Sequence, residues 1–145
     1  MKTDSIFRKR VIMCVTGVVL SGVSVSFFKS AIFGVDPFQA LMSGLDALIP
    51  IQYGTLYVIV NAVLLLFSII FDRKKIGLGT MINLFLLGYI VQFGVDIIAS
   101  VAPDPALWLR IIFLAAGVFI ACLAASLYFT ADMGVSTYDA IALII

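Results

Sequence analysis

The chain contains no histidine and no glutamate. Without imidazole it lacks the usual general base, the Ser–His relay and the commonest metal ligand. Only two cysteines occur, Cys14 and Cys122, both inside apolar runs. They read as small buried apolar residues rather than as a disulfide framework. Charge is scarce too. Of 145 residues 12% are charged, against roughly 25% in soluble domains. That is too little to cover a soluble surface, and it excludes a soluble globular domain, a disordered chain and a nucleic-acid binder. Nine Lys/Arg face eight Asp, for a net charge of +1. No residue set calls for a metal or a cofactor.

What is there in excess is apolar: 63% of the residues, where soluble domains hold about 45–50%. The partner this implies is a lipid bilayer. Four runs are long enough to cross one as helices: Val11–Ala31, Ile51–Phe71, Ile76–Ala99 and Leu107–Phe129. The first follows Arg8-Lys9-Arg10, but it is too long for a signal sequence and no cleavage pattern follows, so it reads as a retained span. The positive-inside rule places the N-terminus in the cytoplasm. That side then holds Lys2, Arg8, Lys9, Arg10, Arg73, Lys74 and Lys75, and the other only Lys29 and Arg110. Trp108 falls where an outer aromatic anchor belongs, and Pro103 and Pro105 end any helix between the last two spans.

The sequence resembles itself at an offset of 100. Arg10, Ile12, Gly17, Val18, Ser26, Ala31, Gly34, Val35 and Ala40 recur as Arg110, Ile112, Gly117, Val118, Ser126, Ala131, Gly134, Val135 and Ala140. One unit holds three spans, an odd number, so the second copy enters from the opposite side. That is an inverted-topology repeat, a building plan of secondary transporters. The expected division is a cytoplasmic basic N-terminus over 1–10, a first repeat over 11–106 and an incomplete second repeat over 107–145. The expected fold class is an all-α membrane protein with four transmembrane helices plus short capped half-helices. A second copy that stops short implies two missing C-terminal spans or completion by self-association.

The repeated segment is the most informative. It reads Gly34-Val35-Asp36-Pro37-Phe38-Gln39-Ala40-Leu41 in the first copy and Gly134-Val135-Ser136-Thr137-Tyr138-Asp139-Ala140-Ile141 in the second. Each has a glycine to end the preceding helix in the left-handed conformation. Each then has an N-cap, Asp36 or Ser136, with Pro37 suited to the first helical position. Gln39 and Asp139 stand at the third, where a side chain can return to the cap. A half-helix over 37–49 follows, with Phe38, Leu41, Met42, Leu45 and Leu48 on one face and Gln39, Ser43 and Asp46 on the other.

A helix break at membrane depth needs protein or water to satisfy its backbone, and its N-terminus attracts anions. The segment reads either as a pair of half-helix ends lining one site or as a capped helix at the interface. Within the spans, Asn61, Asn83, Gln92 and Asp96 either join helices or line a polar cavity. Lys29 either snorkels to the headgroups or pairs with Asp36, Asp46 or Asp96. Gly22, Ser26 and Ser30, with Gly117, Ala121 and Ala125, form small-residue faces for close helix contact. The glycines of Gly77-Leu78-Gly79-Thr80 match neither a dinucleotide fingerprint nor an intramembrane aspartyl protease, and read as a tight turn into a helix.

Gly34-Val35-Asp36-Pro37-Phe38, then Gly77-Leu78-Gly79-Thr80 leading into Asn83-Leu84-Phe85-Leu86-Leu87-Gly88, then Gly134 to Ala140, resemble the bacterial YczE/YyaS/YitT-type membrane proteins. The resemblance runs from about Gly17 to the end. It implies a bacterial inner-membrane location and more spans than four, and is silent on substrate. The expected function is a multi-pass, permease-like protein for a small anionic or zwitterionic solute. Asp36, Gln39, Ser43, Asp46, Ser136 and Asp139 would line its path, with Asn61 and Asn83 nearby. The alternative is a non-transporting scaffold acting through helix association. No motif supports an enzyme.

Overall fold

Residues 11–31 are rich in valine, a poor helix former in water because its branched side chain is stiff. An apolar surrounding reverses the preference. With no water to satisfy peptide groups, the helix is the conformation that pairs them all within one segment. In the computed structural model, which describes residues 2–71, 76–134, 136 and 138, this stretch belongs to α1, Lys2–Ala31. The helix therefore runs through the basic segment that the sequence left outside the first span. Hydropathy marks where the bilayer begins; Lys and Arg are good helix formers and carry the helix past it.

The remaining elements are α2 (Pro37–Leu48), α3 (Tyr53–Phe71), α4 (Leu78–Val101) and α5 (Leu107–Ala131). Every described element is a helix, and four of them are long and apolar enough to cross a membrane. α2 is the short amphipathic helix, ending one residue before its expected limit.

Small residues set how the long helices meet. Gly17 lies so close to the backbone of Tyr128 that an added Cβ would fall 3.0 Å from its nitrogen, and Gly117 takes the ring of Phe28. Ser24 donates to the Gly117 carbonyl at 2.8 Å, and Phe27 packs on Phe113. Rising numbers on α1 meet falling numbers on α5, so the two are antiparallel. Gly22 meets Ile90, and Gly94 leaves room for Ser26. Numbers rise together there, so α1 and α4 are parallel. Between α3 and α4, Gly54 lies under Tyr89 and Gly88 under Tyr57, an antiparallel pairing. The expected small-residue faces of Gly22 and Gly117 are thus used within the bundle.

The contacts of α1 with α5 are reciprocal. Gly17 meets Tyr128 and Gly117 meets Phe28; each pair becomes the other when 100 is added to one number and subtracted from the other.

The core holds Cys14, Val18, Met42 and Val91, none of them exposed, with Tyr53, Leu56 and Tyr57 beside them. Outward faces carry Ile12, Leu66, Phe85 and Phe119, all exposed. An apolar exterior of this kind is solvated by lipid tails. Cys122 belongs to it: only Cys14 of the two free cysteines is buried, which corrects the expectation of two buried thiols. On α2, Leu41 and Leu48 are exposed while Phe38, Gln39 and Met42 are buried. The apolar face of this helix therefore packs through Phe38, Met42 and Leu45 and leaves Leu41 and Leu48 outward, which a bilayer accepts.

Candidate functional site

Both helix breaks have the same backbone. α1 ends at Ala31, Ile32 takes φ 58 and Gly34 φ 117; α5 ends at Ala131, Asp132 takes φ 48 and Gly134 φ 105. The helices thus stop two residues earlier than the glycines implied. The left-handed turn falls on Ile32 and Asp132, and each glycine supplies a second positive φ.

At the first break Asp36 is the N-cap of α2. Its Oδ1 accepts from the backbone N–H of Phe38 and of Gln39, both at 3.0 Å. The amides that would greet an anion at this helix end are therefore bonded to the protein's own carboxylate, which removes the expected anion site there. Gln39 does not return to the cap. Its Oε1 accepts from the Tyr53 hydroxyl, and that bond explains why an amide is buried on α2.

At the second break the chain docks onto the start of α4. The Met133 carbonyl accepts from the Gly79 N–H at 2.8 Å. An added Cβ on Gly77 would strike that same carbonyl, and one on Gly79 would come within 3.1 Å of it. Gly77 is extended, at φ −142, so its hydrogen side chain serves close backbone approach rather than a tight turn. The Thr80 hydroxyl accepts from the Gly77 N–H at 3.2 Å. The Gly-x-Gly-Thr run is thus the seat of the second break. Sequence reading missed this because the two partners lie more than 50 positions apart.

The two breaks meet. Phe38 and Tyr138 stack with ring centroids 5.3 Å apart and planes at 26°. Around them is a cavity of about 330 Å³ whose wall includes Asp36, Gln39, Asn83 and Ser136. It also touches Val25 on α1, Tyr57 on α3, Leu87 on α4 and Tyr128 on α5. Those contacts place it among all five helices, with Asp36, Phe129 and Tyr138 on its wall exposed. Asn83 is only 7% exposed and has no hydrogen-bond partner among the described residues. Its amide opens on the cavity.

The other expected residues lie elsewhere. Ser43 lines a separate recess with Phe28, Lys29 and Gly34. Asp46 and Asp96 line another, of about 250 Å³, with Lys29, Tyr53 and Gln92. Asn61 is buried and donates to the Tyr57 carbonyl one turn back at 2.9 Å. Gln92 accepts from the Gly54 N–H at 3.1 Å, joining α4 to α3. Lys29 sits over the Tyr53 ring, 3.8 Å from its centroid. An aromatic face, not the Asp96 carboxylate of the expected ion pair, holds the ammonium, because Tyr53 presents its ring where α1 ends. Asp139 lies outside the described residues.

On the far side of Tyr128 and Phe129, which line both spaces, a larger cleft of about 570 Å³ contains Arg10, Gly77 and Asp132. On the opposite side the Gln39–Tyr53 hydrogen bond separates the central cavity from the Lys29–Asp46 recess.

Four long apolar helices, with two interrupted ends brought together between them, define an all-α multi-pass membrane protein. The chain belongs to the DUF6198 family, a family of unknown function, whose model matches residues 8–145. It is similar to "Uncharacterized protein YyaS" of Bacillus subtilis (strain 168), 24% identical over 129 residues. That match covers 89% of the chain, and the chain spans 64% of the relative's length. The YyaS part of the resemblance is thereby found; the YczE and YitT parts are not. No solved structure matches the chain.

Proposed function

We propose that the protein is permease-like: it holds a small charged solute at the centre of the bundle and passes it between the two ends. The observation that carries this is the meeting of two equivalent breaks at one cavity, with Asp36 and Ser136 on its wall and Asn83 unpartnered beside them. The volume falls at the small end of ligand pockets, which run from about 300 to 1,000 Å³. Two thin barriers, Tyr128–Phe129 and Gln39–Tyr53, lie between the cavity and the spaces at either end. Binding and passage require no covalent step.

An inverted repeat underlies the arrangement in this reading. The reciprocal Gly17–Tyr128 and Gly117–Phe28 contacts, the Phe38–Tyr138 stack and the antiparallel course of α1 and α5 all support it. The same reading sets the N-terminus in the cytoplasm of a bacterial inner membrane, on the strength of Arg8, Lys9 and Arg10 at one end and Lys29 and Arg110 at the other. A Ser43→Cys chain with Cys14→Ala and Cys122→Ser then reacts with an impermeant thiol reagent on intact cells. Labelling only after the membrane is opened reverses the orientation.

Asn83→Leu tests the site itself. The substitution replaces the amide on the cavity wall by an apolar side chain of similar size, and the purified chain unfolds cooperatively like the parent. A panel of small charged solutes includes at least one that stabilises the parent chain and not the variant. A variant that unfolds earlier and keeps every solute response shows Asn83 to be a packing residue and removes the reading.

A further inference from the structure

The wall of the central cavity has a one-sided chemistry. Among the described residues it carries one carboxylate, Asp36, and no Lys or Arg. Both Asp36 bonds to α2 fall on Oδ1. Among the described residues Oδ2 has no hydrogen-bond or ion-pair partner. Phe38, Tyr57 and Tyr138 line the same space, and aromatic rings attract cations through their negative faces. The fold already uses this chemistry once: the Lys29 ammonium rests over Tyr53 at 3.8 Å, and the hydroxyl of that same tyrosine bonds Gln39 on the cavity wall.

Resting on the solute-site reading above, we infer that the solute carries an ammonium group, primary or quaternary. The group lies by the Asp36 carboxylate and the rings of Phe38, Tyr57 and Tyr138, while the Asn83 amide hydrogen-bonds the polar remainder of the molecule. An anion is disfavoured there by direct repulsion from Asp36, which no cation among the described wall residues relieves. A neutral apolar solute would leave both Asp36 and Asn83 desolvated without compensation.

The test is thermal unfolding of the detergent-purified full chain with tetramethylammonium chloride, with propylammonium chloride, and with sodium acetate or sodium phosphate, each against sodium chloride of equal ionic strength. Asp36→Asn is the informative variant, because asparagine caps a helix as well as aspartate does and only the charge is lost. One or both ammonium salts stabilise the parent saturably, and Asp36→Asn weakens that binding about tenfold. Tyr138→Leu weakens it severalfold. Neither change moves the unfolding temperature measured in sodium chloride by more than a degree or two. Stabilisation by acetate or phosphate, made tighter by Asp36→Asn, overturns the inference and leaves the solute site standing. An ammonium response that survives Asp36→Asn also overturns it. No response to any of the four salts, with no solute of the wider charged panel stabilising the parent, overturns the inference and the permease-like reading together.

Discussion

Ile32 holds φ 58, a left-handed conformation that costs a residue with a Cβ about 1–2 kcal/mol and a β-branched one no less. Its side chain is 63% exposed, so little packing repays the strain. Asparagine tolerates this conformation. Ile32→Asn therefore raises stability by about 1 kcal/mol, read as a higher Tm in detergent; a lower Tm shows that the isoleucine contributes packing that the left-handed turn does not reveal. At this scale the sequence was a partial guide. Asp36 as cap, Pro37 as first helical residue and Gly34 and Gly134 as positive-φ positions were all legible, because capping is a local interaction between near neighbours. The placement of the left-handed turn two residues earlier was not. Ile32 has no propensity for it, and the turn is imposed by the chain's return into the bundle.

Among elements, the long helices were legible to within a few residues at most ends, since their apolar runs are bounded by charge, proline or glycine. The exception was the start of α1, where a good helix-forming segment continues beyond the membrane boundary. On α2 the apolar face packs at Phe38 and Met42, while Leu41 and Leu48 point outward, where lipid solvates them as well as a core would. The seat of the second break on α4 was illegible because it is a contact between main-chain atoms, for which a sequence offers only the glycines that permit it. Gly77→Ala tests that seat. The new methyl collides with the Met133 carbonyl and destabilises the chain by roughly 2 kcal/mol. Gly44 is the control, a helical position where an added Cβ meets nothing within 4 Å; Gly44→Ala stabilises by about 1 kcal/mol. Equal effects of the two substitutions, read as Tm, are incompatible with backbone docking at Gly77.

For the whole molecule, the offset of 100 carried the most information. It pointed to two equivalent breaks, and the chain brings Phe38 and Tyr138 into contact at the centre. It did not tell which polar residues would join them. Asn83 reaches the cavity while Asn61 turns to its own helix, a distinction fixed by helix rotation and not by composition. Ser43 and Asp46 follow Asp36 and Gln39 on one face of α2, yet they line other recesses further along the helix. The meeting of the breaks is the premise on which the cavity, its solute and the permease-like reading all stand. It is tested most directly by placing cysteines at both ring positions, Phe38→Cys and Tyr138→Cys, in a chain that also carries Cys14→Ala and Cys122→Ser. Dibromobimane fluoresces once both of its arms have reacted. Strong fluorescence on the monomeric chain, and none from either single-cysteine control, is the result this account requires. Two thiols that each react with a monofunctional reagent yet never bridge would contradict it.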